Sequence, residues 1–212
     1  MAETASRPVL TEALWPADGA GLWIRRAVLV VLGVAVLAIC AKIKVPVWPS
    51  PVAISLGTFA VLTVGAAYGP RLGLVTMLAW MLVGALGFDV FQNSSAEKYG
   101  LAYMMGATGG YLVGYALATL ALGAFARRGW DRSVPGMAAA MLVGSVLVYI
   151  PGLLWLNYLV ATGLFDATTY ASPWDQTLAW GLTPFIVGDL LKAALAALVV
   201  PGLWKLVGDA RA

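Results

Sequence analysis

The chain contains no histidine at all. That removes the commonest general base, the commonest metal ligand and the ordinary Ser-His-Asp triad. It contains one cysteine, Cys40, inside an apolar run, so an internal disulfide is excluded. Charge is scarce: 11% of residues are Asp, Glu, Lys or Arg, against about 25% in an average soluble domain. The net charge of +3 is too small and too dispersed for nucleic-acid binding. No Walker A run is present, so the chain lacks that route to nucleotide binding. An intramembrane aspartyl protease needs two membrane aspartates, and here only Asp189 lies in an apolar span. No enzyme activity, cofactor or metal site is therefore expected.

Apolar residues are abundant instead. Of 212 residues 61% are hydrophobic, and the mean hydropathy is +0.88. A water-soluble domain could not cover that much apolar surface, so the composition specifies an integral membrane protein of one domain. Six runs have roughly the 17–25 residues that a spanning helix needs. They lie at about 24–43, 52–68, 72–88, 106–126, 136–163 and 178–206. The second and third are separated by "YGPRLG", a tight turn punctuated by Gly69 and Pro70. In "KVPVWPSPV", Pro46, Pro49 and Pro51 exclude helix and predict a rigid loop against the bundle. The predicted fold is an all-α bundle over 24–206, with tails at 1–23 and 207–212.

Orientation follows from the basic residues. With both termini inside, the inner face holds Arg7, Arg25, Arg26, Arg71, Arg127, Arg128, Arg132, Lys205 and Arg211, while the outer face holds Lys42, Lys44 and Lys98. Nine against three favours cytoplasmic termini. Residues 1–22 carry Glu3, Glu12 and Asp18 without an apolar core, which reads as a cytoplasmic tail rather than a cleaved signal. The longer, chemically mixed loops then lie outside, as suits capture of an external solute.

Lys192 belongs to neither face and remains inside the membrane, three residues beyond Asp189. Both side chains fall on nearly one helix face. Ionisable groups inside a membrane are costly, which favours a functional role over packing alone. The pair is read as a polar floor for a ligand, with ammonium donors on Lys192 and carboxylate acceptors on Asp189. In "GATGGYLVGYALA", Gly106, Gly110, Gly114 and Ala118 form a small-residue stripe for helix packing. Thr108 and Tyr111 stand beside it, Tyr111 on another face where it can point at a cavity. Ser55, Gly57 and Thr58 soften the second span. Trp48 in the proline loop is a candidate for closing over a ligand. Gln92 and Asn93 read as loop residues, Asn93 gaining interest from its closeness to Tyr103 and the outer mouth.

Three stretches in this order, "KVPVWPSPVAISLGTFAVLTVGAAYGPRLG", "GATGGYLVGY" and "TPFIVGDLLKAALAALV", together resemble the BioY family. These are the biotin-specific S components of energy-coupling-factor (ECF) vitamin transporters. The resemblance covers nearly all of 24–206. It implies six transmembrane helices and a biotin site near the outer surface. It also implies work with a membrane coupling (T) subunit and a pair of cytoplasmic ATPase subunits in the bacterial cell (inner) membrane. By resemblance the biotin-binding residues are Asp189, Lys192 and Tyr111, with Tyr103, Asn93 and Thr58 added from their placement. The chain departs from the family pattern at Ala107, where proline is common, and at Gly57, where glutamine is common. A small-residue face on the first span, Ala35, Ala38 and Ala41, is the candidate for docking the coupling subunit. The readings set beside this one are an S component for another small vitamin, and a structural or assembly membrane protein without ligand.

Overall fold

A computed structural model describes residues 7–46, 54–95, 98–165 and 170–208. Five helical stretches are long and apolar enough to cross a membrane: Gly19–Lys42, Gly57–Ala85, Gly109–Arg127, Val134–Ala161 and Pro173–Val207. In chain order the elements are α1 (Leu10–Leu14), α2 (Gly19–Lys42), β1 (Lys44–Val45), β2 (Ile54–Ser55) and α3 (Gly57–Ala85). There follow α4 (Gly100–Met104), α5 (Gly109–Arg127), α6 (Val134–Ala161), α7 (Pro173–Gly181) and α8 (Ile186–Val207). Single 3₁₀ turns precede α6 and α8.

The bilayer shows in how α2 is buried. Arg25, Leu29, Gly33, Leu37 and Ala41 recur every four residues and face the bundle. Val31, Leu32, Val36 and Ile39, all apolar, face outward. A water-soluble helix would place polar groups there, so the outward face is built for lipid. This register corrects the expected docking face: Ala41 belongs to the buried stripe and Ala38 packs on the core, leaving only Ala35 exposed.

α3 is not one rod. Gly69 adopts φ 77° and ψ 174°, a left-handed conformation that a side chain would resist, and Pro70 restarts the helix. A Cβ on Gly73 would lie 3.3 Å from the Gly65 Cα, whereas eight residues of continuous helix would separate the two by about 12 Å. The chain therefore reverses at Gly69, and 57–68 and 70–85 form two antiparallel arms, as "YGPRLG" predicted. α5 packs along them and α6 packs along α5. Within the expected stripe, Gly110 and Gly114 bring α5 against α6 so closely that an added Cβ would lie 2.3 Å from the Pro151 carbonyl oxygen and 2.6 Å from that of Val148. Gly106 lies outside the helix, where its carbonyl accepts from the Trp155 indole at 2.8 Å.

Three other expectations are corrected. The bundle is helical, but Lys44–Val45 and Ile54–Ser55 pair as a short antiparallel ladder, so α3 begins at Gly57 rather than near 52. Residues 47–53 of the proline loop, Trp48 included, lie outside the described residues. The expected last span, 178–206, is broken at Leu182–Phe185, because Pro184 supplies no N–H to continue α7. The N-terminal tail is docked: Val9 and Leu10 are buried in the core, and Glu12 on α1 forms a bidentate pair with Arg127 on α5 at 2.6 Å and 2.6 Å.

Candidate functional site: a pocket floored by Asp189 and Lys192

Because α8 starts only at Ile186, Asp189 falls in its first turn and Lys192 one turn later. Lys192 Nζ donates to Asp189 Oδ1 at 2.9 Å, with the side chains 9% and 11% exposed. The Tyr149 hydroxyl, from α6, donates to the other carboxylate oxygen. Asp189 is thus held from two helices, and each of its oxygens keeps a lone pair. Lys192 has no further partner among the described residues, which leaves two ammonium donors for a ligand.

These groups line a pocket with about 720 Å³ of empty space, counted out to its open mouth. Above the floor stand hydroxyls from α3 and α5. Thr58 on α3 and Tyr115 on α5 share a hydrogen bond of 3.2 Å. Tyr111 donates to the Gly181 carbonyl at 2.9 Å, tying α5 to the end of α7. One wall is aromatic: Phe91 stacks on Tyr103 with centroids 4.8 Å apart and meets Trp80 edge-on at 4.9 Å. Gln92 also lines the pocket, its amide oxygen accepting from Ser55 at 2.8 Å.

The loop that carries Phe91 and Gln92 has little regular structure of its own. It is pinned by Lys42, the last residue of α2, and Lys44 in β1. Lys42 pairs with Asp89, which also accepts from Ser94 at 2.5 Å. Lys44 donates to the Gln92 carbonyl at 2.6 Å and to Asn93 Oδ1 at 3.1 Å. The hydrogen bonds from Lys42 and Ser94 hold the Asp89 carboxyl below the usual carboxylate range.

Five of the six residues expected at the site, Asp189, Lys192, Tyr111, Tyr103 and Thr58, line this one pocket. Asn93 does not line it; its backbone N–H reaches the Tyr103 hydroxyl at 3.5 Å and its side chain meets Lys44. Tyr115, Tyr149, Trp80, Phe91 and Phe185 also line the pocket without having been expected there. Tyr115 had a signal, since it follows Tyr111 by four residues and so shares its face.

Apolar helices closing over a pocket with an ionic floor and aromatic walls define a membrane-embedded solute-binding bundle. The model of the BioY family matches residues 9–209, and the chain belongs to that family. It is 33% identical over 175 residues to a "Probable biotin transporter BioY" of Pyrococcus horikoshii, covering 82% of this chain and 93% of the relative. It is 29% identical to the "Biotin transporter BioY" of Thermotoga maritima, covering 81% and 91%. In fold it matches a crystal structure described as the S-component for biotin from an ECF-type ABC transporter, with TM-score 0.70, 22% identity, and coverage of 89% of this chain and 95% of that one.

Proposed function

We propose that this chain is the membrane-embedded biotin-binding component of an ECF-type transporter. It captures biotin at the outer face and delivers it with a coupling (T) subunit and cytoplasmic ATPase subunits. The observation that carries this is the Asp189–Lys192 floor inside an aromatic-walled pocket, in a chain of the BioY family. Biotin has complementary chemistry: a ureido group with N–H donors and a carbonyl acceptor, and a carboxylate tail. Lys192 offers two donors to oxygen, Asp189 offers lone pairs to N–H, and the aromatic wall covers the apolar part of the ligand. In this reading the chain crosses six times, counting the two arms of α3 separately, so both termini lie on one side; the basic residues gathered there favour the cytoplasm for them and the outside for the Asn93 loop. Titration of the purified chain with biotin tests the reading. Saturable binding is expected; absence of binding, or preference for a different vitamin, overturns it.

A further inference from the structure

A second concavity lies at the other end of the bundle, among α1, the first turns of α2 and the reversal at Gly69. Four arginines, Arg25, Arg26, Arg71 and Arg127, line it beside Glu12. Arg127 and Glu12 satisfy each other in their bidentate pair. The other three have no ion pair among the described residues. Arg25 is only 6% exposed; its Nη1 donates to the Trp15 carbonyl at 2.8 Å, and its buried Nε finds no partner among the described residues. Arg26 and Arg71 beside it are exposed and unpaired among the described residues, and oxygen acceptors of an anion are what would answer this cluster of guanidinium groups.

The groove's other walls say which anion. Below the arginines it continues along Val31 on α2 and Val75 on α3, which are 69% and 53% exposed and face where lipid must be. At the level of the arginines stands Trp23, 69% exposed, with the Arg26 guanidinium 5.2 Å from its ring centroid. Exposed tryptophan at the end of an apolar helix marks the headgroup layer. Cations at headgroup depth and an apolar trough at acyl depth match one amphiphile.

We infer that this groove is a binding site for an anionic phospholipid, its phosphate held by Arg25, Arg26 and Arg71 and one acyl chain lying along Val31 and Val75. Basic pockets between membrane helices suit such headgroups. The site is separate from the biotin pocket and does not depend on it.

The test is native mass spectrometry of the intact protein released from an equal mixture of phosphatidylglycerol and phosphatidylcholine. Wild type should retain phosphatidylglycerol preferentially. The double variant Arg26→Gln/Arg71→Gln removes two exposed contacts and should lower that preference roughly tenfold or more. The variant Arg128→Gln/Lys205→Gln removes the same charge from the same end, outside the groove, and should stay near wild type. Inorganic phosphate should fail to displace the lipid. Equal loss in both variants, no preference in wild type, or displacement by phosphate alone each overturns the proposal. Biotin affinity, measured in parallel, reports that every variant is folded.

Discussion

Asp189 and Lys192 are three positions apart on one helix and face a cavity. Glu12 and Arg127, at the opposite end, are 115 positions apart and join α1 to α5. Asp131 and Trp204, 73 positions apart, join the turn before α6 to the end of α8 at 2.6 Å. The two ends use buried polarity differently. A pair made within one helical turn closes no chain loop and ties no second element, so its charge stays available to a solute. Pairs made across the sequence hold the packing and leave little for a ligand. The Glu12 carboxyl illustrates this: burial raises its pKa, but hydrogen bonds from Arg127 and the Val9 N–H, with the charges of Arg127 and Arg25, bring it below the usual value.

The sharpest way to break this contrast is to ask which end faces out, because the outcome is all or none. Ser95 is exposed in the loop beside the pocket. A Ser95→Cys variant lacking Cys40 should react with an impermeant thiol reagent in intact cells. Labelling only after the inner face is opened would reverse the assignment of the ends. Next in size is the loss of the ammonium. A charge-assisted hydrogen bond is worth roughly 1.5–3 kcal/mol, or about tenfold to more than a hundredfold in affinity. Lys192→Ala should weaken biotin binding by at least about tenfold on that scale, with insertion intact. If the double variant Asp189→Asn/Lys192→Gln binds as wild type does, the pair serves helix packing and the two ends do not differ.

Tyr149→Phe sharpens the same contrast. It leaves Asp189 and Lys192 in place but removes the hydroxyl that holds the second carboxylate oxygen. Tyr149 acts through Asp189, so the expected loss of biotin affinity is smaller, about three- to tenfold, near the cost of one ordinary hydrogen bond. Unchanged affinity in isothermal titration would mean that Lys192 alone positions the carboxylate.

What was legible in the sequence follows the same division. The Asp189–Lys192 pair and the Gly69–Pro70 reversal are set by residues a few positions apart, and both stand in the structure as read. Tyr149 could not be placed on the floor, because facing Asp189 depends on the register of α6 against α8. The same holds for Phe91 and Trp80, brought to the pocket by a loop that Lys42 and Lys44 pin from a distance. Those lysines informed the topology by their sign alone, and their reach to Asp89 and Gln92 is a tertiary fact. Pro184 did carry a local signal for the break between α7 and α8, overshadowed by the apolar run on either side. The two-residue ladder is too short to leave a period in the sequence.

An effect of comparable size lies at the arginine end and concerns pH. Asp131 sits outside the spans, 1% exposed, with Oδ2 accepting from the Trp204 indole and Oδ1 without a partner among the described residues. Burial pushes its carboxyl up to about 6; the Trp204 hydrogen bond and the charges of Arg132 and Arg7 oppose the shift without cancelling it. A carboxyl whose pKa is raised by folding binds its proton more tightly in the folded state. Stability therefore falls as pH rises from the unfolded value, near 4, to the folded one. Between pH 5 and 7 the difference amounts to about 1–2 kcal/mol, from one pH unit of separation at about 1.4 kcal/mol each. Glu12 and Asp89, both lowered, lose their contributions only in more acidic solution, so neither produces this slope. Thermal unfolding in detergent should thus give a higher midpoint at pH 5 than at pH 7. Asp131→Asn keeps an acceptor for Trp204 and cannot titrate, so it should flatten that slope. A slope that survives in Asp131→Asn would assign the pH dependence to another group.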